Sequence, residues 1–177
     1  MSRRCAVLIG MMGAGKSEVG ELLAEQLGYD FVDTDALIVK KAGKSVAKIF
    51  REDGEQAFRD LECEVIRDLR GAENLVIATG GGAPVDKHNR RVFISIGHMI
   101  YLKASPRELY LRVKNDRGRP LLQVENPVKQ LEEILAERKD YYEEADIVID
   151  TEELGVDEVV DVIIDELAKR TIETRMD

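Results

Sequence analysis

The chain has 177 residues, 44% of them hydrophobic, and a formal net charge of −9 from 26 basic and 35 acidic residues. That length fits one domain over residues 1–177 with volume for a full core. The acidic balance argues against DNA or RNA as the main partner, which needs a basic face, and no apolar run approaches the roughly 20 residues that span a bilayer.

Met1-Ser2-Arg3-Arg4 runs straight into the first apolar segment, so no signal peptide is expected and the cytoplasm is the expected compartment. Cys5 to Ile9 reads as a short buried strand. Gly10-Met11-Met12-Gly13-Ala14-Gly15-Lys16-Ser17 is a full G-x-x-x-x-G-K-[ST] loop, and the residues after it space Val19, Leu22, Leu23 and Leu27 for one buried helical face. Strand, loop and helix in that order are the setting a phosphate loop needs. Phe31-Val32, Leu75 to Ala78, Met99 to Leu102 and Ile147 to Ile149 read as further short buried strands. Helical segments separate them, which predicts an α/β fold, a parallel sheet with helices on both faces. Gly28, Gly43, Gly54 and Gly71 each come after a helical pattern, where a left-handed residue ends a helix. Ser105-Pro106-Arg107-Glu108 is a capping box with proline at the first helical position. Asn126-Pro127 opens another helix, with Val128, Leu131, Leu135 and Tyr142 as its stripe, and a last helix carries Val159, Val162, Ile163 and Leu167. Lys114 to Glu125 holds Gly118, Pro120 and several charges without a period, which suits a mobile lid.

Ligands of open α/β sheets sit at the carboxyl ends of the strands. After the first strand, the loop glycines turn backbone N–H groups around a polyphosphate and the next helix aims its positive end at the same spot. Lys16 is placed to reach the terminal phosphates and the Ser17 hydroxyl to bind Mg²⁺. After the second strand comes Asp33-Thr34-Asp35. Asp33 stands where NTPases put a carboxylate near Mg²⁺. Asp35 points the same way in an extended chain and meets an acceptor hydroxyl, or else it caps a helix over Ala36 to Lys41. After the third comes Gly80-Gly81-Gly82, a close-approach backbone for a ligand or a flexible turn.

Arg138 falls on the stripe of Leu131 and Leu135, and a charge on a core-facing stripe needs a partner. Arg59 lies three residues before Glu62, so the two can pair on one helix. Arg112, Arg117 and Arg119 bracket the lid segment. Any single arginine can be a solvated one with a buried stem; several near one crevice point to an anionic substrate besides ATP, because the planar fork matches carboxylate and phosphate. Cys5 and Cys63 lack metal or redox spacing and are expected as buried free thiols. His88 and His98 are isolated and take no role.

With these residues in place, the chain closely resembles shikimate kinase. The matching stretches are G-M-M-G-A-G-K-S at 10–17, D-T-D at 33–35, G-E-Q-A-F-R at 54–59, G-G-G at 80–82, R-P-L-L at 119–122 and R-x-x-x-Y at 138–142. The resemblance covers nearly the whole chain. It implies transfer of the ATP γ-phosphoryl group to the 3-hydroxyl of shikimate, with Mg²⁺, on a P-loop three-layer sandwich of the nucleoside-monophosphate-kinase type with strand order 2-3-1-4-5. It also implies a shikimate-binding region about 34–71, a lid about 114–125 and a monomer. Asp35, Arg59, Gly80, Gly81, Gly82 and Arg138 would then hold shikimate, the two arginines on its carboxylate and Asp35 on its hydroxyls. Gly13, Ala14, Gly15, Lys16, Ser17, Glu18, Arg112 and Arg119 would hold ATP, with Arg112 against adenine and Arg119 on the transferring group. Ser17 and Asp33 would serve Mg²⁺, and Lys16, Asp35 and Arg119 would carry the chemistry.

Three other functions compete with this one. A gluconate kinase on the same fold has no need of two arginines for a ring carboxylate. A GTP-driven switch is suggested by Asp68-Leu69-Arg70-Gly71, which fits D-x-x-G but falls at a helix end, and no N-K-x-D motif occurs. A nucleic-acid motor is disfavoured by size and by the −9 charge.

Overall fold

The computed structural model describes residues 4–114 and 124–176. Five strands form one parallel sheet: β1 (Cys5–Ile9), β2 (Asp30–Asp33), β3 (Leu75–Ala78), β4 (Gly97–Lys103) and β5 (Ile147–Asp150). Their order is β2-β3-β1-β4-β5, and every neighbouring pair is parallel. This is the order the resemblance implies. β1 is central, with Ala6 opposite Val76 on one side and His98 on the other. All its residues are buried, as are those of β3, so helices cover both sheet faces there. The edge strands are different. Phe31 and Val32 on β2 are only half-buried, and Val148 on β5 is exposed while Ile147 and Ile149 are not.

Eight α-helices connect the strands among the described residues: α1 (Lys16–Leu27), α2 (Thr34–Ala42), α3 (Val46–Glu52), α4 (Gly54–Asp68), α5 (Lys87–Ile96), α6 (Pro106–Val113), α7 (Pro127–Glu143) and α8 (Val156–Met176). Their ends obey local chemistry. The Ser105 hydroxyl accepts from the Glu108 N–H to open α6, and the Asn126 side chain accepts from the Lys129 N–H to open α7. Gly28 and Gly43 close α1 and α2 at φ 65° and 64°. α1 lies so close to the sheet that a Cβ on Gly20 would stand 2.6 Å from the Phe31 ring.

Two expectations change. Asp33, not Asp35, caps the helix: its Oδ1 accepts from the Asp35 and Ala36 N–H groups, and the helix starts at Thr34. The extended-chain argument that aligned the two aspartates therefore fails beyond residue 33. On α8 the buried positions are Val159, Val160 and Ile163, while Val162 is exposed beside the short edge strand β5. Cys5 is buried and Cys63 only partly so; both are free thiols.

Candidate active site

The carboxyl ends of β2, β3 and β1 are neighbours in the sheet, so the segments that leave these three strands meet. The phosphate loop leaves β1 with Gly10, Gly13 and Gly15 at φ 141°, 78° and 84°. Gly10 and Gly13 also lack room for a side chain: a Cβ on Gly13 would stand 2.8 Å from Val113 and 2.9 Å from the Leu109 carbonyl of α6. The loop thus rests directly on α6. Gly15 caps α1, whose unpaired N–H groups face the loop's concavity. Lys16 folds back on the loop, its Nζ donating to the carbonyls of Gly10 and Met11 at 2.9 and 2.8 Å. Ala14 is buried in the loop and Glu18 is exposed on the first turn of α1.

The Ser17 hydroxyl donates to Asp33 Oδ2 at 2.8 Å. These two hard oxygens stand where α1 begins, a donor set that Mg²⁺ takes. No group of three or more His, Cys, Asp and Glu side chains that could hold a metal occurs among the described residues. The pair therefore fits a cation that keeps waters and arrives with phosphate oxygens, which is how Mg²⁺ binds beside nucleotides.

The triple glycine is the floor of the second half of the site. A Cβ on Gly82 would stand 2.5 Å from the Arg59 guanidinium. One on Gly80 would stand 2.8 Å from Asp35 Oδ1 and 2.9 Å from Glu62 Oε1. One on Gly81 would meet Arg138 Nη1 at 3.5 Å, and the Gly10 carbonyl and Met12 N–H of the phosphate loop at the same distance. Four charged side chains, from α2, α4 and α7, thus converge on one short backbone segment beside the phosphate loop. The floor is rigid rather than a flexible turn. Gly80 N–H donates to the buried Thr34 hydroxyl at 3.0 Å, and Tyr142 donates to the Gly81 carbonyl at 2.6 Å. The Gly80 N–H therefore already has a partner within the fold.

Arg59 and Glu62 pair as their spacing predicts, Nη1 to Oε2 at 2.8 Å. Phe58 lies under the guanidinium at 5.2 Å. Burial works against the Arg59 charge, but the Glu62 carboxylate outweighs it and the net shift is upward. Burial pushes the Glu62 carboxyl up from its ordinary value, and Arg59 offsets only part of that. Burial likewise raises the Tyr142 hydroxyl and takes Tyr101, stacked on it at 5.1 Å, to about 12. Both stay neutral at physiological pH.

On the other flank, Arg112 donates from Nη1 to the Thr151 hydroxyl at 3.1 Å and from Nη2 to the Thr151 carbonyl at 2.8 Å, while Nε pairs with Glu108 at 2.9 Å. Thr151 itself is buried and donates twice to the Lys103 carbonyl, through N–H at 2.9 Å and Oγ1 at 3.1 Å. The loop after β5 thereby fixes the guanidinium of α6 beside the phosphate loop. Thr34 and Thr151 support the site without having been expected to, and Glu62 and Tyr142 do so beyond the pairing and stripe their spacing predicts. The two threonines are held by partners remote in sequence, and only Glu62 and Tyr142 carry a local signal, the i,i+3 pair and the R-x-x-x-Y spacing. Arg117, Arg119 and most of the lid segment lie outside the described residues.

Comparison with known proteins decides the family. A family model described as shikimate kinase matches residues 12–168. The chain belongs to the shikimate kinase family. Family members include shikimate kinases of Thermodesulfovibrio yellowstonii, 45% identical over 90% of this chain and 92% of that one, and of Geobacter sulfurreducens, 47% identical over 89% and 87%. The structure of the shikimate kinase of Acinetobacter baumannii, solved in complex with shikimate, matches at a TM-score of 0.91 and 36% identity, covering 96% of this chain and 95% of that one. A gluconokinase of Sinorhizobium meliloti matches at a TM-score of 0.64 and 19% identity, a likeness of fold alone. The gluconate rival is accordingly the more distant one. The D-x-x-G of the GTP-switch reading begins at Asp68, the last residue of α4, not after a strand.

Proposed function

We propose that this shikimate kinase family member phosphorylates the 3-hydroxyl of shikimate from MgATP through the residues assembled above. The observation that carries the assignment is the ring of Asp35, Arg59, Glu62 and Arg138 around the triple glycine, one residue's reach from the phosphate loop. Two guanidiniums suit one carboxylate, and an aspartate suits adjacent hydroxyls.

Arg59 and Arg138 hold the substrate carboxylate, which fixes the ring and leaves its hydroxyls toward Asp35 and the loop. Lys16 leaves the Gly10 and Met11 carbonyls for the outer phosphates, and the loop N–H groups take the rest. Mg²⁺, when bound, offsets charge on those phosphates; Ser17 and Asp33 would hold it. The acceptor oxygen bonds to the γ-phosphorus, the bond to the β–γ bridging oxygen breaks, and ADP leaves. Asp35 orients the acceptor hydroxyl and takes its proton late, as a kinase aspartate does. Arg119, assigned on the R-P-L-L motif, meets charge on the transferring group. Arg112, held by Thr151, flanks the base. Catalysis here is positioning and charge stabilisation. Residues 1–177 act as one domain, a monomer in the cytoplasm, with residues 114–125 as a lid that excludes water; no described helix is long and apolar enough to cross a membrane.

A coupled assay tests the reading: shikimate and gluconate, each with ATP or GTP, with and without Mg²⁺. ADP release that depends on shikimate, ATP and Mg²⁺ is expected. ADP release that is equal with and without shikimate would overturn the assignment.

A further inference from the structure

Glu62 is not needed to contact the substrate, yet it is among the most enclosed charged groups of the described residues. Its side chain is 2% exposed. One carboxylate oxygen, Oε2, accepts from Arg59; the other, Oε1, is buried and accepts no hydrogen bond among the described residues. Among the described residues, the charges facing it come from three elements. Arg59 lies on its own helix α4, Asp35 on α2 and Arg138 on α7; Tyr142 and Cys63 stand nearby as neutral groups. Glu55 also pairs with Arg59, at 3.4 Å, but is mostly exposed and free to turn to solvent.

Before the acceptor binds, two carboxylates face two guanidiniums among the described residues. An incoming carboxylate on Arg59 and Arg138 adds a third negative charge and draws Arg59 away from Glu62. A buried carboxylate stripped of its counter-charge takes a proton rather than stay ionised. Oε1 has lone pairs to receive it, and Asp35 Oδ1 is on the same side of the floor: the two oxygens stand 2.9 and 2.8 Å from the point where a Cβ on Gly80 would be.

We infer that Glu62 takes up one proton from solvent when the carboxylate-bearing acceptor binds, offsetting the negative charge brought to the triple glycine. The proton lands on Oε1 and its O–H donates toward Asp35. Glu62 is a positioning residue with a titration of its own. The inference rests on the acceptor site proposed above.

The sign comes from linkage: binding that takes up a proton weakens as pH rises. The window runs from the Glu62 pKa of the free enzyme to the higher one of the complex. Burial has already raised the first from its ordinary value. Within that window the association constant for shikimate should fall up to about tenfold per pH unit. The test is calorimetric titration of the full chain with shikimate, from pH 5.5 to 8, in buffers of different ionisation heat. Proton uptake approaching one per shikimate is expected somewhere in that range, and none for Glu62→Gln, which keeps a hydrogen-bond acceptor for Arg59. Infrared difference spectra of uniformly ¹³C-labelled wild-type enzyme, bound minus free, should gain a protonated protein carboxyl band; this arm needs no variant. Binding without proton uptake at any pH, or uptake that persists in Glu62→Gln, overturns the inference alone. Absence of any shikimate binding overturns the acceptor-site reading and the inference with it.

Discussion

The two halves of the crevice are built by opposite means. The nucleotide half is backbone: three left-handed glycines, the first N–H groups of α1, and a lysine resting on carbonyls of its own loop. The parts of this cradle are contiguous, from Gly10 to Ser17. The acceptor half is side chain: charges from α2, α4 and α7 gathered over three glycines that make room for them. Its parts are scattered along the chain, from Asp35 to Arg138. A backbone cradle tolerates neighbours but not its own residues changing; a charged ring fails piece by piece. Substitutions should separate the two halves cleanly.

The largest effect is expected where both halves meet, at the transferring phosphoryl group. Arg119→Ala should lower turnover by a factor on the order of 10³, as loss of other transition-state arginines does. Arg119→Lys should recover only part, because a point charge lacks the planar fork. Normal turnover without Arg119 would assign that charge to another group, with Arg117 the first to examine.

Next come the two arginines of the acceptor half. Arg138→Ala and Arg59→Ala should each weaken shikimate binding more than tenfold, since a charged hydrogen bond is worth roughly 1.5–3 kcal/mol. Nucleotide affinity should hold. The pair also differ from each other. Arg59→Ala strands the buried Glu62 carboxylate and should cost about 1–3 kcal/mol of stability near neutral pH. The group it strands has a raised pKa, so that loss should shrink as pH falls through the folded-state value and Glu62 protonates. Chemical denaturation at two pH values reads it. An Arg59→Ala variant as stable at pH 8 as at pH 5 relative to wild type would show that Glu62 finds another partner.

The smallest effect belongs to the nucleotide flank. Thr151→Val keeps the volume but removes the hydroxyl that accepts from Arg112 and donates to Lys103. The backbone carbonyl still holds Nη2 of Arg112. A several-fold rise in KM for ATP is expected, corresponding to roughly 1 kcal/mol for one net hydrogen bond, with KM for shikimate unchanged. If both constants move together, the two halves are coupled through the sheet.

The same contrast explains how much of the molecule is legible in its sequence. The phosphate loop, the strands and the helix caps at Ser105 and Asn126 are local chemistry and can be read directly. The strand order comes through resemblance. Asp33 and Asp35 both stand out, but their geometry does not, because the chain turns helical between them and gives the cap to Asp33. The triple glycine reads as an open backbone, yet Gly80 already spends its N–H on Thr34. Thr34 and Thr151 carry no signal of their own: a buried threonine declares itself only through a partner segment that folding brings to it. Val162 fits the helical stripe and is exposed because the sheet ends at β5, whose four residues leave that side of α8 uncovered.

β1 is the central strand, and neither of its neighbours is near it in the chain. Thr79, beside the end of β3, bonds to the Leu8 carbonyl across a separation of 71 residues, and the other side of β1 pairs with β4 only at Gly97 to Tyr101. A ribosome makes the nucleotide loop before either partner strand of β1. During synthesis β1 has no parallel partner until β3 has emerged and only one until β4 arrives, so the chain through Tyr101 must leave the exit tunnel before Gly10 and Lys16 are held in place. Long-range parallel pairing of this kind is slow and leaves apolar strands exposed while it waits. Synthesis and assembly therefore run in opposite order, and the strand at the centre of the sheet is the one that waits longest for cover.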